Sequence, residues 1–188
     1  RKGREMNVGS ERIVTIFGGS KCGEDSPEYA EAHRAGELLA AAGFTICTGG
    51  YAGVMEAASR GAAEAGGHVI GVTCRLIENW REGFGPNQWV KEEIKFASLR
   101  ERLYHLVTFC DAAVALGGGI GTLSEVSLMW SLIQTGEIKR RPLVLVGPLW
   151  RGTFKEFLAR ANGYIPERDR GLLSFVDAPG GVVPVLRE

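Results

Sequence analysis

Five apolar runs rich in β-branched residues constrain this chain more than anything else in it: RIVTIF (12–17), FTICT (44–48), HVIGVT (68–73), DAAVAL (111–116) and PLVLVG (142–147). None alternates with polar residues, so each reads as a strand covered on both faces rather than one with a wet side. The stretches between them carry helix signals. Ser26 followed by Pro27 starts a helix that runs to Gly43; VMEAASRGAAEA follows Gly53 and stops at Gly66-Gly67; Ser98-Leu99-Arg100-Glu101 is a capping box. Further helices follow the last two strands, one to about Gln134 and one from about Gly152 to Ala161. Strand and helix thus alternate at least four times, which is the signature of an α/β fold: a single-domain, Rossmann-like, doubly wound parallel sheet with helices on both faces. Residues 12–188 are long enough to bury one core, and 1–11 read as a loose basic tail. Residues 75–97 lack periodicity and read as a long loop, with room for one edge strand, whose Trp80, Phe84 and Trp89 are placed to cover a ligand.

Charge and cysteine usage exclude several classes. Lysine plus arginine (22) balance aspartate plus glutamate (22), and the longest basic run, Lys139-Arg140-Arg141, is a short loop beside Pro142, so no footprint for nucleic acid is present. The cysteines at 22, 47, 74 and 110 are too far apart for a zinc site or a disulfide framework. No apolar stretch approaches the length of a membrane span, and the basic N-terminus is followed by no apolar core of a signal peptide. A soluble cytoplasmic protein with reduced thiols is expected.

In a doubly wound sheet ligands bind beyond the carboxyl ends of the strands, and three glycine-rich turns lie on that edge: Gly18-Gly19-Ser20, Gly49 to Gly53, and Gly117 to Gly121. A helix N-terminus offers unpaired amides and the positive end of its dipole, and glycine lets an anion come close. Gly118, Gly119 and Gly121 before Thr122 therefore suit a phosphate. Tight packing of strand against helix also needs small residues, so that use of the glycines stays open. The first strand ends in GGSKCG and the second in Thr48-Gly49-Gly50 without an acid, which argues against NAD; no Gly-Lys-Ser or Gly-Lys-Thr exists for a Walker loop. A mononucleotide remains.

Thr122-Leu123-Ser124-Glu125 fits a capping box, with Glu125 reaching back to the helix start. The same glutamate, beside a nucleotide phosphate, would lie near the sugar. Cleaving base from ribose passes through an oxocarbenium-like state, which a carboxylate stabilises or supplies with activated water. Arg102, on the preceding helix, stays protonated and can orient such a carboxylate or keep it ionised; a solvated helix charge is the alternative.

FGGS, TGGYAGVMEAA and GGGIGTLSE, with Arg102 upstream, resemble the LOG family, once named lysine decarboxylases and associated with cytokinin riboside 5'-monophosphate phosphoribohydrolase activity. The resemblance spans about Ile13 to Phe157, and the family's hallmark is P-G-G-x-G-T-x-x-E. It implies phosphate binding by Gly118, Gly119, Gly121 and Thr122, catalysis by Glu125 with Arg102, and a nucleotide pocket lined by Gly18, Gly19, Ser20, Gly49, Gly50 and Gly53. It implies no metal and no organic cofactor, a nucleoside monophosphate such as AMP as substrate, and a homodimer or assembly of dimers through helices beside the site. Leu128, Trp130 and Leu132 are candidates for that interface, unless they serve the core. Gly117 stands where the hallmark has proline, and Leu103 where lysine usually follows the arginine. GGGIGTLSE also resembles a neighbouring branch, the molybdenum-cofactor carriers, which act by binding a pterin. Amino-acid decarboxylation would need a lysine in a pyridoxal phosphate motif, and none is recognisable.

Overall fold

The computed structural model describes residues 12–80, 84–161 and 163–188; the expected basic tail, 1–11, lies outside them. Seven parallel strands form one sheet: β1 (Ile13–Phe17), β2 (Thr45–Thr48), β3 (Val69–Cys74), β4 (Glu92–Phe96), β5 (Ala112–Ala115), β6 (Leu143–Val146) and β7 (Leu173–Val176), in the order β4-β3-β2-β1-β5-β6-β7. The chain winds outward from β1 to one edge, returns to the other side of β1 as β5, and winds outward again. The switch between β1 and β5 opens a crevice at the carboxyl ends of those two strands.

The helices are α1 (Pro27–Ala41), α2 (Val54–Glu64), α3 (Arg75–Trp80), α4 (Leu99–Thr108), α5 (Ile120–Thr135), α6 (Pro148–Arg160), α7 (Glu167–Arg170) and α8 (Val182–Arg187). Strand residues sort by the two-residue period. Val14, Ile16, Ala112, Val114, Val144 and Val146 pack under α1, α2 and α8. Phe17, Ala113, Ala115, Leu143 and Leu145 pack under α4, α5 and α6 on the opposite face. Both faces are therefore dry, which is why the central strands show no polar alternation.

Three expectations change. Residues 75–97 contain the expected edge strand, β4, but also α3, which has no buried residue and hence no periodicity to read. α6 begins at Pro148, four residues before the expected start at Gly152, because proline suits the first turn of a helix. Beyond Ala161, where the expected elements end, lie the short elements α7, β7 and α8. Among the described residues no helix is long and apolar enough to cross a membrane, no metal-holding cluster occurs, and all four cysteines are free.

Candidate functional site

A cavity of about 720 Å³ fills the crevice between β1 and β5. Its floor is the Gly18–Ser20 turn after β1 and the Gly117–Gly121 turn after β5, with Thr122, Glu125 and Arg102 among its walls. The turns are stitched by backbone: the Gly19 amide donates to the Gly117 carbonyl at 2.9 Å, and the Val54 amide to the Gly19 carbonyl at 2.9 Å. Gly53 holds φ at +71°, and a Cβ there would lie 2.7 Å from the Gly19 oxygen, so only glycine lets these turns meet.

The glycines of the loop after β5 divide into two kinds. A Cβ on Gly118 would sit 2.1 Å from Thr122 Oγ1, so packing requires that glycine. Cβ atoms on Gly119 and Gly121 would meet nothing within 4 Å, and neither glycine has a positive φ. Nothing among the described residues demands glycine at those two places; they leave a space at the head of α5. The first ladder bond of that helix runs from the Leu123 amide to Gly119, and the amides of Gly118, Gly119, Ile120, Gly121 and Thr122 find no acceptor among the described residues. Open amides at a helix N-terminus are groups to which an anion can bind. Gly121→Ala is accordingly expected to leave thermal stability unchanged or raise it by up to about 1 kcal/mol. The same substitution should weaken AMP binding about tenfold or more in calorimetry, the factor that about 1.4 kcal/mol of lost contact gives; unchanged affinity would remove the loop from the binding site.

The capping-box reading of Glu125 does not hold. α5 starts at Ile120 with Gly119 as its cap residue, so Thr122 is already inside the helix and no side chain caps it. Glu125 is instead carried well past the first turn. It is buried, 8% exposed, and its carboxylate makes no hydrogen bond or ion pair with any described residue. Burial pushes its carboxyl up to about 7, against which the nearby Arg102 pulls downward.

Nor is Arg102 a solvated helix charge. It is 6% exposed, donates from Nε to the Val72 carbonyl at 2.7 Å and from Nη2 to the Gly49 carbonyl at 3.1 Å, and lies over the Tyr51 ring at 5.4 Å. The capping box at Ser98 and Glu101 starts α4 as the sequence indicates and so sets the face on which Arg102 projects. Leu103, where lysine was the family expectation, packs against the core under α4.

Two predicted features move. Gly49, Gly50 and Gly53 do not line the cavity; Tyr51, Val54 and Met55 do. Gly49 serves behind the wall, since a Cβ there would lie 2.1 Å from Arg102 Nη2. Trp130 is committed within the chain: its indole donates to the Asp169 carbonyl at 2.8 Å and its ring meets Phe154 and Phe157, while Leu128 and Leu132 pack against the core. The wall opposite the glycine floor is apolar, made by Leu76, Ile77 and Trp80 of α3, Phe84 and Leu99. Trp80 and Phe84 were legible as aromatics in an aperiodic stretch. Leu76 and Ile77 gave no signal, because the helix that presents them has no buried face.

The comparisons with known proteins agree with this architecture. The profile of the SLOG cluster4 family matches residues 11–140. A probable cytokinin riboside 5'-monophosphate phosphoribohydrolase from Oryza sativa subsp. japonica is 35% identical over 175 residues, covering 89% of this chain and 73% of the rice protein. The pyrimidine/purine nucleotide 5'-monophosphate nucleosidase of Escherichia coli (strain K12) is 31% identical over 160 residues, 79% of this chain; the match spans only 34% of that longer protein. Among solved structures, the molybdenum cofactor carrier protein of Chlamydomonas reinhardtii superposes with a TM-score of 0.71 at 26% identity, covering 94% of this chain and 96% of the carrier. A matched profile over more than half the residues, on a fold with both glycine turns at the switch point, means that the chain belongs to the SLOG cluster4 family.

Proposed function

We propose that this protein is a phosphoribohydrolase: it cleaves the N-glycosidic bond of a purine nucleoside 5'-monophosphate, AMP or a cytokinin riboside monophosphate, to free base and ribose 5-phosphate. The observation that carries this reading is Glu125, a buried carboxylate with no hydrogen-bond partner among the described residues, facing the same cavity as the open amides of the α5 head and the Arg102 cation. The amides and Thr122 take the phosphate, the Gly18–Ser20 turn closes the other side of the pocket, and the apolar wall takes the base. Glu125 then stabilises the oxocarbenium-like state or activates water, with Arg102 keeping it ionised. These roles need neither a metal nor an organic cofactor. The names of the rice and E. coli relatives support the same chemistry.

A second reading, a carrier that holds a pterin without turnover, is favoured by the carrier-type structural relatives and by the apolar wall with Trp80 and Phe84. We further propose a homodimer through α4 and α5, whose Leu99, Tyr104, Ile120 and Leu123 are exposed apolar residues, with Phe109 exposed just beyond the end of α4. Incubation with a panel of monophosphates should release base. Native mass spectrometry of freshly purified protein should show a ligand-free dimer of the 20.3 kDa chain. A retained pterin mass with no base release would overturn the hydrolase in favour of the carrier, and a lone subunit would end the dimer proposal.

A further inference from the structure

Two opposite charges face one cavity without touching. Arg102 and Glu125 are both buried and make no ion pair with each other, although each acts on the other through space. Opposite charges in a water-poor wall attract strongly, and an unpaired buried carboxylate is costly. The guanidinium must therefore be held back. Its hydrogen bonds to the Val72 and Gly49 carbonyls are two of the restraints; the third is the ring of Tyr51, 5.4 Å away.

That ring is itself fixed through its hydroxyl and against a second ring, and its backbone is held by Asn87. Its hydroxyl accepts from the Cys74 amide at 2.8 Å and donates to the Cys74 carbonyl at 3.1 Å, at the junction of β3 and α3. Its centroid lies 4.7 Å from that of Phe84, and Asn87 Nδ2 donates to the Tyr51 carbonyl at 2.9 Å. Tyr51 is 1% exposed, so it cannot turn away. A ring fixed in this way offers its negative face to the cation at no cost in ordering.

We propose that Tyr51 is a positioning residue that holds the Arg102 guanidinium off Glu125, keeping open between cation and carboxylate the slot that a ligand ring enters. The identity of that ring as ribose rests on the phosphoribohydrolase reading; the holding of the guanidinium does not. Two further charged residues, Lys21 and Glu28, line the same cavity. Cys47 on β2 is a thiol that burial pushes up to about 12, and the Tyr51 phenol is raised by burial, so both are neutral. Glu78 on α3 acts on Tyr51, and its partner is Lys95 at 3.0 Å. The ionisation of Glu125 thus reports where the cation sits.

The test is a 13C NMR titration of the Glu125 carboxyl in the wild-type protein, Tyr51→Phe and Tyr51→Leu, with melting temperature and AMP affinity measured on the same samples. Tyr51→Phe keeps the ring, so its midpoint should match the wild type even though the lost hydroxyl lowers the melting temperature. In Tyr51→Leu the guanidinium should fall onto the carboxylate, lowering the midpoint by about one unit or more and AMP affinity about tenfold. A Tyr51→Leu midpoint that stays or rises overturns the proposal; a purely structural role would lower the melting temperature and leave the midpoint alone. Should Tyr51→Leu not fold, pentafluorophenylalanine at position 51 keeps the shape of phenylalanine while reversing the charge of the ring face, and the same downward shift relative to Tyr51→Phe is expected. Base release separates the two claims: a wild type that cleaves no monophosphate while the midpoints move as stated loses the hydrolase reading and keeps the positioning role.

Discussion

Glu125→Gln is expected to lower base release by about a hundredfold to ten-thousandfold, the range for removing one acid–base group, while AMP binding stays within about threefold. The amide keeps the size of the side chain and leaves the open amides at the α5 head untouched. The pH dependence of the wild type carries the sign. Because burial pushes the carboxyl up to about 7, the ionised form that the mechanism needs grows as pH rises through that value, so kcat/KM should climb between pH 6 and 8 and then level. The same shift predicts a stability effect of opposite direction. A carboxyl raised in the folded state favours folding below its unfolded value and loses that advantage as pH rises toward about 7. Above that, the ionised wild type carries a penalty of about 3 kcal/mol from the difference in the two values. Glu125→Gln should therefore melt several degrees above the wild type at pH 8 and alongside it at pH 4. A variant that is inactive yet no more stable at pH 8 would mean the carboxylate is hydrated in the free protein. A variant that still releases base would remove Glu125 from the chemistry.

Arg102→Met is the second large effect. It removes the cation that, among the described residues, opposes the upward push on Glu125, so the pH at which activity rises should move above that of the wild type, and release at pH 7 should fall about a hundredfold. The loss is also structural, because the Val72 and Gly49 carbonyls lose their donors inside the protein, at about 1–3 kcal/mol. Arg102→Lys should not restore activity, since one ammonium cannot reach two carbonyls with the planar fork of a guanidinium. The pH shift is what distinguishes the two roles: activity lost at every pH with an unmoved profile would mean that Arg102 only props the wall. Melting curves followed by circular dichroism report the stability cost separately.

The resemblance placed Arg102 and Glu125 together, and the fold puts them on one cavity, but their physical character was misjudged by the residue-level alternatives. Arg100-Glu101-Arg102 looks like an exposed charged turn because adjacency in sequence says nothing about which face of α4 meets β3. Thr122-Leu123-Ser124-Glu125 looks like a helix start because the pattern of a cap is local, whereas the actual start at Ile120 depends on how the Gly117–Gly119 turn is stitched to Gly19. The apolar wall was hidden for another reason. α3 turns its leucine and isoleucine toward a cavity rather than a core, so no buried stripe marks it.

What the sequence by itself determined was the doubly wound sheet and the place of its glycine turns. Strand runs and helix starts are encoded by nearest neighbours, and a parallel sheet with both faces covered is the arrangement that buries such strands. Tertiary structure alone decided that Glu125 is buried and unpaired, that Arg102 is tied to the Val72 and Gly49 carbonyls, and that Tyr51 rather than the glycines beside it faces the cavity. Ionisation and orientation depend on how much water remains around a group and on what lies across from it, and those neighbours come from strands and helices far apart in the chain.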